Sequence, residues 1–179
     1  ILDPPDEVDE VDETNNGIGF ALNVVPAEWT ILVYMDGDNN LEKFWVESFL
    51  QMAGVGSNAD VSVVVQFDRF SDAGMQAAGI SSGYYDSRYG DWAGAKRFYV
   101  TAGITPTAAN ATQDLGEVNM AHRDTLKDFL LWGVQSYSAE RYMVVLKDHG
   151  AGWYGCCYDT TSGNDRLSNT ETSYALRAM

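Results

Sequence analysis

Cysteine is almost missing from this chain: its only two, Cys156 and Cys157, are adjacent. Neighbours in sequence rarely close a good disulfide, because the ring they form is strained. The fold is therefore not a disulfide framework, and the cysteine count fixes no compartment. Histidine is as scarce, with His122 and His149 alone. Basic residues are few: 11 Lys and Arg face 26 Asp and Glu, for a net charge of −15. Seven of those acids crowd into residues 1–13, and the rest of the chain is still acidic. Phosphate backbones need a basic face, so this balance argues against DNA or RNA as partners. A basic peptide is attracted instead. No apolar run approaches the roughly 20 residues of a membrane-spanning helix, and nothing reads as a signal peptide. The chain opens on Ile1, which reads as a processed or trimmed start.

What is present suits one globular domain of 179 residues, long enough for a real core. Residues 1–28, acidic and then Asn/Gly-rich, read as a flexible leader. Residues 29–179 form the body. Trp29 to Met35 is a near-continuous apolar run, as expected of a strand buried on both faces. A turn, Asp36-Gly37-Asp38-Asn39-Asn40, leads into a helix with Leu41, Phe44, Trp45, Phe49 and Met52 on one face. Val61 to Phe67 is a second buried strand. Residues 71–95 carry no helical period and read as a long loop or hairpin excursion. Lys96 to Val100 is a third strand, and 101–116 is loop. Leu115 to Met120 is a short extended piece. A helix bearing Leu126, Phe129, Leu130, Val134 and Tyr137 follows, with His122 before it as a surface or capping residue. Tyr142 to Leu146 is another buried strand. Strands alternating with amphipathic helices predict an α/β fold, a mostly parallel central sheet with helices on both sides. Ser168 and Glu171 form a capping box that starts a last helix. That helix runs only two turns, where a parallel sheet calls for another strand, so the domain reads as incomplete.

Sites in such sheets lie beyond the carboxyl ends of the strands. Asp36/Asp38, Asp68/Arg69 and Asp148/His149 all fall there. The stretch Tyr142-Met143-Val144-Val145-Leu146-Lys147-Asp148-His149-Gly150-Ala151-Gly152-Trp153 is the most informative. Imidazole can take and return a proton near neutral pH. Glycine leaves backbone N–H groups open to a substrate. A base beside an oxyanion donor is what a nucleophilic hydrolase needs. The plain alternative is a histidine that merely ends a strand. Cys156 and Cys157, seven and eight residues on, favour a structural or substrate-loop role over a nucleophile or a soft-metal pair. Glu117 and Asn119 suit either an active-site rim or a turn.

The Asp36–Asn40 turn admits two further readings. An EF-hand fails because Leu41 occupies the sixth position, where glycine makes the turn. A Mg-dependent Asp-x-Asp phosphotransferase or phosphatase would use Asp36 as nucleophile and Asp38 as acid. It lacks a convincing downstream lysine and leaves the His149 loop unexplained. A secreted binding domain without catalysis is the non-enzymatic alternative.

Four stretches in order, WTILVYMDGDNNLE (29–42), VSVVVQFDR (61–69), LGEVNM and its helix (115–137) and RYMVVLKDHGAGW (141–153), resemble the clostripain family of cysteine peptidases. The resemblance implies a caspase-like three-layer sandwich and peptide-bond hydrolysis by a Cys–His dyad, usually after Arg or Lys. Carried over by position, His149 is the dyad histidine and Gly150 supplies the oxyanion N–H. Asp36, Asp38, Trp153, Cys156 and Cys157 are candidates for the substrate-side loop. The family's nucleophile sits in an Asp-Ala-Cys type sequence, which this chain does not contain. The resemblance therefore implies a light chain, partnered by a heavy chain of the same precursor that carries the cysteine, and substrates with basic residues. It implies no required cofactor, although part of the family depends on calcium. With the acidic leader and the start at Ile1, it suggests a secreted or cell-surface protein.

Overall fold

The computed structural model describes residues 26–179. Nearly all of the leader expected over residues 1–28 lies outside the described residues. The first strand, β1 (Ala27–Gly37), begins two residues before Trp29. The chain continues through α1 (Glu42–Ala53), β2 (Val61–Arg69), α2 (Asp72–Ala77), β3 (Gly94–Tyr99), β4 (Gln113–Gly116), α3 (Arg123–Ser136), β5 (Ala139–Lys147), β6 (Cys156–Asp159), β7 (Asp165–Leu167) and α4 (Asn169–Leu176).

Five strands form one sheet in the order β4-β3-β2-β1-β5. β1 runs parallel to both β2 and β5, whereas β3 is antiparallel to β2 and β4 is antiparallel to β3. The sheet is therefore mixed, which corrects the expectation of a mostly parallel one. Parallel neighbours need a crossover connection, usually a helix of a dozen residues or more. α1 and α3 supply that for β2 and β5. Between β2 and β3 the only α-helix is α2, six residues long, so the chain turns back beside the strand it left.

Period-2 alternation divides the core. Leu32, Tyr34 and Val64 face α3, where Leu126, Phe129 and Leu130 pack against them. Val33, Met35, Val65 and Phe67 face α1, meeting Val46, Phe49 and Ala53. Register pairs Leu32 with Val64 and Val33 with Val65, so both strands turn the same parity to the same layer. Each such side chain contributes roughly 1.5–3 kcal/mol when fully buried. α3 lies very close to β1: a Cβ on Gly133 would come within 2.3 Å of Leu32 Cδ2.

Several expectations are refined. The buried face of α1 is Glu42, Val46, Phe49 and Ala53; Phe44 is 46% exposed and packs its ring near the Lys43 ammonium. The 71–95 excursion contains α2 and two 3-10 turns rather than continuous loop. It is anchored by Arg69, which pairs with Glu42 at 2.5 Å and donates to the carbonyls of Asp86 and Gly90. β4 lies inside the 101–116 stretch expected to be loop. β6 and β7 form a hairpin where only loop was expected. β5, expected to be buried, has no fully buried residue. Among the described residues it pairs only with β1 and forms an edge of the sheet. An apolar run reports a tendency to be covered; only the neighbouring elements decide whether it is. His122 is the α3 cap, its Nδ1 accepting the Asp124 N–H. The Ser168–Glu171 capping box opens α4 as its sequence predicts.

Candidate active site

β1, β2 and β5 are mutually parallel, so their carboxyl ends open on the same edge of the sheet. β5 stops at Lys147 and hands the chain to Asp148, His149 and Gly150. This loop is pinned to the start of β6: Gly150 bridges Cys156, with Ala151 N–H donating to Gly155 O at 2.8 Å and Cys157 N–H to His149 O at 3.2 Å. The bridge leaves the Gly150 N–H outside it. Nothing lies within 4 Å of a Cβ built on Gly150, so its backbone is open to approach.

Asp148 is held from two sides. Its Oδ1 accepts from Asn39 Nδ2 at 2.8 Å, and its Oδ2 accepts the Tyr158 N–H. Asn39 Nδ2 also donates to Tyr158 O at 3.0 Å, and Asn39 Oδ1 accepts the Leu41 N–H. One amide thus ties the ends of β1 and β5 to β6. The next residue, Asn40, places its Oδ1 2.8 Å from His149 Nε2. An amide oxygen only accepts, so in this pairing Nε2 is the donor, and in the neutral ring the Nδ1 lone pair is left free. His149 is exposed and opens on a cleft of about 430 Å³ lined by Asn39, Asn40, Ile80, Tyr158, Thr160 and Asn164.

Below the cleft lies a group of acids. Asp36, Asp38, Asp68 and Asp159 are fully or almost fully buried, and Glu117 is at the rim. Burial pushes Asp36 and Asp68 well above the carboxylate range, with further upward pressure from neighbouring acids. It also pushes Asp38 up to about 7 and Asp148 up to about 6. Oxygens of Asp38, Glu117 and Asp159 lie within 4.8 Å of one another.

The residues singled out from sequence separate. His149 and Gly150 stand together at the cleft. Asp36 and Asp38 are at the same sheet edge but underneath, where neither can touch a substrate. That burial also deprives the Asp-x-Asp reading of an exposed nucleophile. Trp153 projects into solvent, 89% exposed. Cys157 is fully buried in the α3-side core, while Cys156 is half-buried with its Sγ 3.7 Å away. The hydrogen bond from Cys157 lowers the Cys156 thiol pKa; the same bond, with burial, raises that of Cys157. Asn39 and Asn40 line the cleft and contact Asp148 and His149, which a reading of 36–40 as a plain turn passes over. Their only signal is position: two side chains with amide oxygens directly after a buried strand.

The clostripain family model matches residues 33–179. No curated protein matches the chain. Among solved structures, it resembles a secreted C11 cysteine protease from Bacteroides thetaiotaomicron in complex with an irreversible peptide inhibitor, at 22% identity and a TM-score of 0.60, over 85% of this chain and 39% of that one. A B. fragilis cysteine protease aligns at 20% identity and a TM-score of 0.49, over 72% of this chain and 93% of that one. The chain thus spans well under half the length of the first of these. Because the family match runs from within β1 through α4 without a break, the chain belongs to the clostripain family, the C11 cysteine peptidases.

Proposed function

We propose that this chain is the light-chain part of a cysteine endopeptidase that cleaves peptide bonds after Arg or Lys, within a caspase-like sandwich. The observation that carries the reading is the His149–Asn40 pair at the mouth of the cleft, beside the open Gly150 N–H. The nucleophilic cysteine comes from a heavy chain of the same precursor. Among the described residues the outer edge of β5 carries no strand, which supports this, since a further strand laid along it would end next to His149.

The chemistry follows from that placement. The cysteine Sγ–H gives its proton to Nδ1 of His149, and the thiolate attacks the scissile carbonyl carbon. The Gly150 N–H donates to the oxygen that becomes negative. Collapse of the adduct breaks the C–N bond, and the imidazolium protonates the leaving amine. His149 then takes a proton from water, which attacks the thioester and releases the acid. Asn40 keeps the ring in the tautomer and orientation that this sequence of transfers requires. Export is part of the proposal, supported by the acidic leader and by the secreted enzyme of the same fold. Among the described residues no helix is long and apolar enough to cross a membrane.

The test uses the full-length protein with Arg- and Lys-ended reporter peptides. Cleavage is expected, abolished by thiol alkylation and lowered by roughly 10²–10⁴-fold in His149→Ala. Cleavage unaffected by both treatments would sink the dyad. A protein that binds peptides without cutting them would instead be the non-catalytic domain.

A further inference from the structure

Cys156 and Cys157 stand side by side at the start of β6, and no step of the peptide-bond chemistry uses them. Register pairs Cys156 with Leu167 and Tyr158 with Arg166, so β7 offers no residue opposite Cys157. Cys157 is therefore the extra residue of a β-bulge. Its φ is 58°, in the left-handed region that residues other than glycine enter rarely. Bulges that need this conformation usually place glycine there. Successive side chains of a regular strand point to opposite faces. The bulge breaks that alternation, and the two Sγ atoms lie 3.7 Å apart.

The two thiols differ in access. Cys156 is half-buried and Cys157 fully buried. The Cys157 S–H donates to the Cys156 sulfur, which favours the thiolate at Cys156. A reachable thiolate with a second thiol in contact is what thiol–disulfide exchange requires: one sulfur to attack and one to resolve.

We propose that Cys156 and Cys157 are a redox modification site, closed to a vicinal disulfide by exchange with a low-molecular-weight disulfide of the glutathione type. The Cys156 thiolate attacks one sulfur of the reagent, forms a mixed disulfide and releases one reagent thiolate. Cys157 Sγ then attacks Cys156 Sγ. The bond from Cys156 to the reagent breaks, and the second reagent thiolate leaves and takes up the Cys157 proton. The pair is oxidised by two electrons, and the reagent is reduced to two thiols. Adjacent Cα atoms are about 3.8 Å apart, short of the usual span across a disulfide. The closed ring is therefore strained and easily reduced, as a reversible site demands.

Two contacts tie the pair to the His149 loop. The Cys157 N–H donates to His149 O at 3.2 Å, and Cys156 bridges Gly150. Closing the ring resets the backbone of both cysteines, on which both contacts depend, so oxidation displaces His149 and Gly150. The modification stands apart from the peptidase reading; its effect on cleavage rests on it.

The test equilibrates the full-length protein with graded mixtures of reduced and oxidised glutathione, quenches in acid, blocks free thiols with N-ethylmaleimide and maps tryptic peptides. Trypsin releases residues 148–166 as one peptide that carries both cysteines. In oxidising mixtures this peptide is expected unblocked and lighter by its two thiol hydrogens, and dithiothreitol is expected to return it to the doubly blocked form. The native protein is expected to close at a roughly tenfold lower ratio of oxidised to reduced glutathione than the urea-unfolded chain, because the bulge holds the sulfurs in contact. Cys157→Ala is expected to stop at one glutathione on Cys156, and Cys156→Ser to leave Cys157 unmodified. A native peptide that stays doubly blocked, that stops at the mixed disulfide, or that closes no more readily than in urea overturns the site. Reporter cleavage in the same mixtures is expected to fall roughly tenfold further in the unaltered protein than in Cys156→Ser, a comparison that cancels oxidation of the nucleophile. Equal losses overturn the coupling to His149. Ring closure in a protein that cleaves no peptide leaves the site standing and removes the peptidase reading.

Discussion

Asn40 Oδ1 and His149 Nε2 lie 2.8 Å apart although 109 residues separate them in the chain. The contact exists because β1 and β5 are parallel neighbours and end together. Asn40→Ala removes the group that orients the ring. A misplaced base costs on the order of 10²-fold, so kcat/KM for reporter peptides is expected to fall by about that much with KM little changed. Asn40→Asp places a carboxylate beside Nε2 and favours the charged ring. The limb of the kcat/KM profile set by the dyad is then expected to move to higher pH. A profile that does not move makes Asn40 a turn residue only.

The buried acids give a pH dependence of stability with a definite sign. Asp38 and Glu42 are pushed up to about 7 and Asp148 up to about 6, in each case chiefly by burial. Their folded values exceed the unfolded ones, so the folded state binds more protons. The stability they lend is present at pH 4 and lost as pH rises through about 7. The melting temperature is expected to fall from pH 5 to pH 8. A melting temperature that rises over this range would contradict the burial argument.

The two cysteines differ in access and in charge preference. Cys156 is half-buried and its thiolate is favoured by the hydrogen bond from Cys157. Cys157 is inaccessible and its thiol is held protonated. Mild iodoacetamide followed by peptide mass mapping is expected to label Cys156 well before Cys157 in native protein, and both alike in urea. Cys156→Ser is expected to retain cleavage, because the nucleophile is placed elsewhere.

The contact between α3 and β1 tolerates no side chain at Gly133. A methyl group there meets Leu32 Cδ2 at 2.3 Å, and overpacking a tight core costs about 1–3 kcal/mol. Gly133→Ala is expected to lower stability by that amount in urea denaturation, despite the better helix propensity of alanine. Gly133→Ala with Leu32→Val is expected to recover part of the loss, because the shorter side chain vacates the contact.

The alternation of polar and apolar residues determined much on its own. It placed β1, β2, α1, α3 and α4 and identified the caps at His122 and Ser168, because local periodicity and capping depend on residues a few positions apart. It also put His149 and Gly150 at a strand end, where a loop begins. Tertiary structure alone decided the rest. Whether β3 runs with or against β2 depends on how the 70–93 excursion folds back, which no local pattern records. The exposure of β5 depends on which neighbours it acquires. Asp36 and Asp38, read from sequence as a turn at a strand end and candidates for a substrate-side loop, are buried because the β6–β7 hairpin covers the end of β1. The pairing of Asn40 with His149, and of Asp38 with Glu117 and Asp159, comes from three segments far apart in the chain. Such contacts are a property of packing, and a linear order of residues encodes them only through the fold.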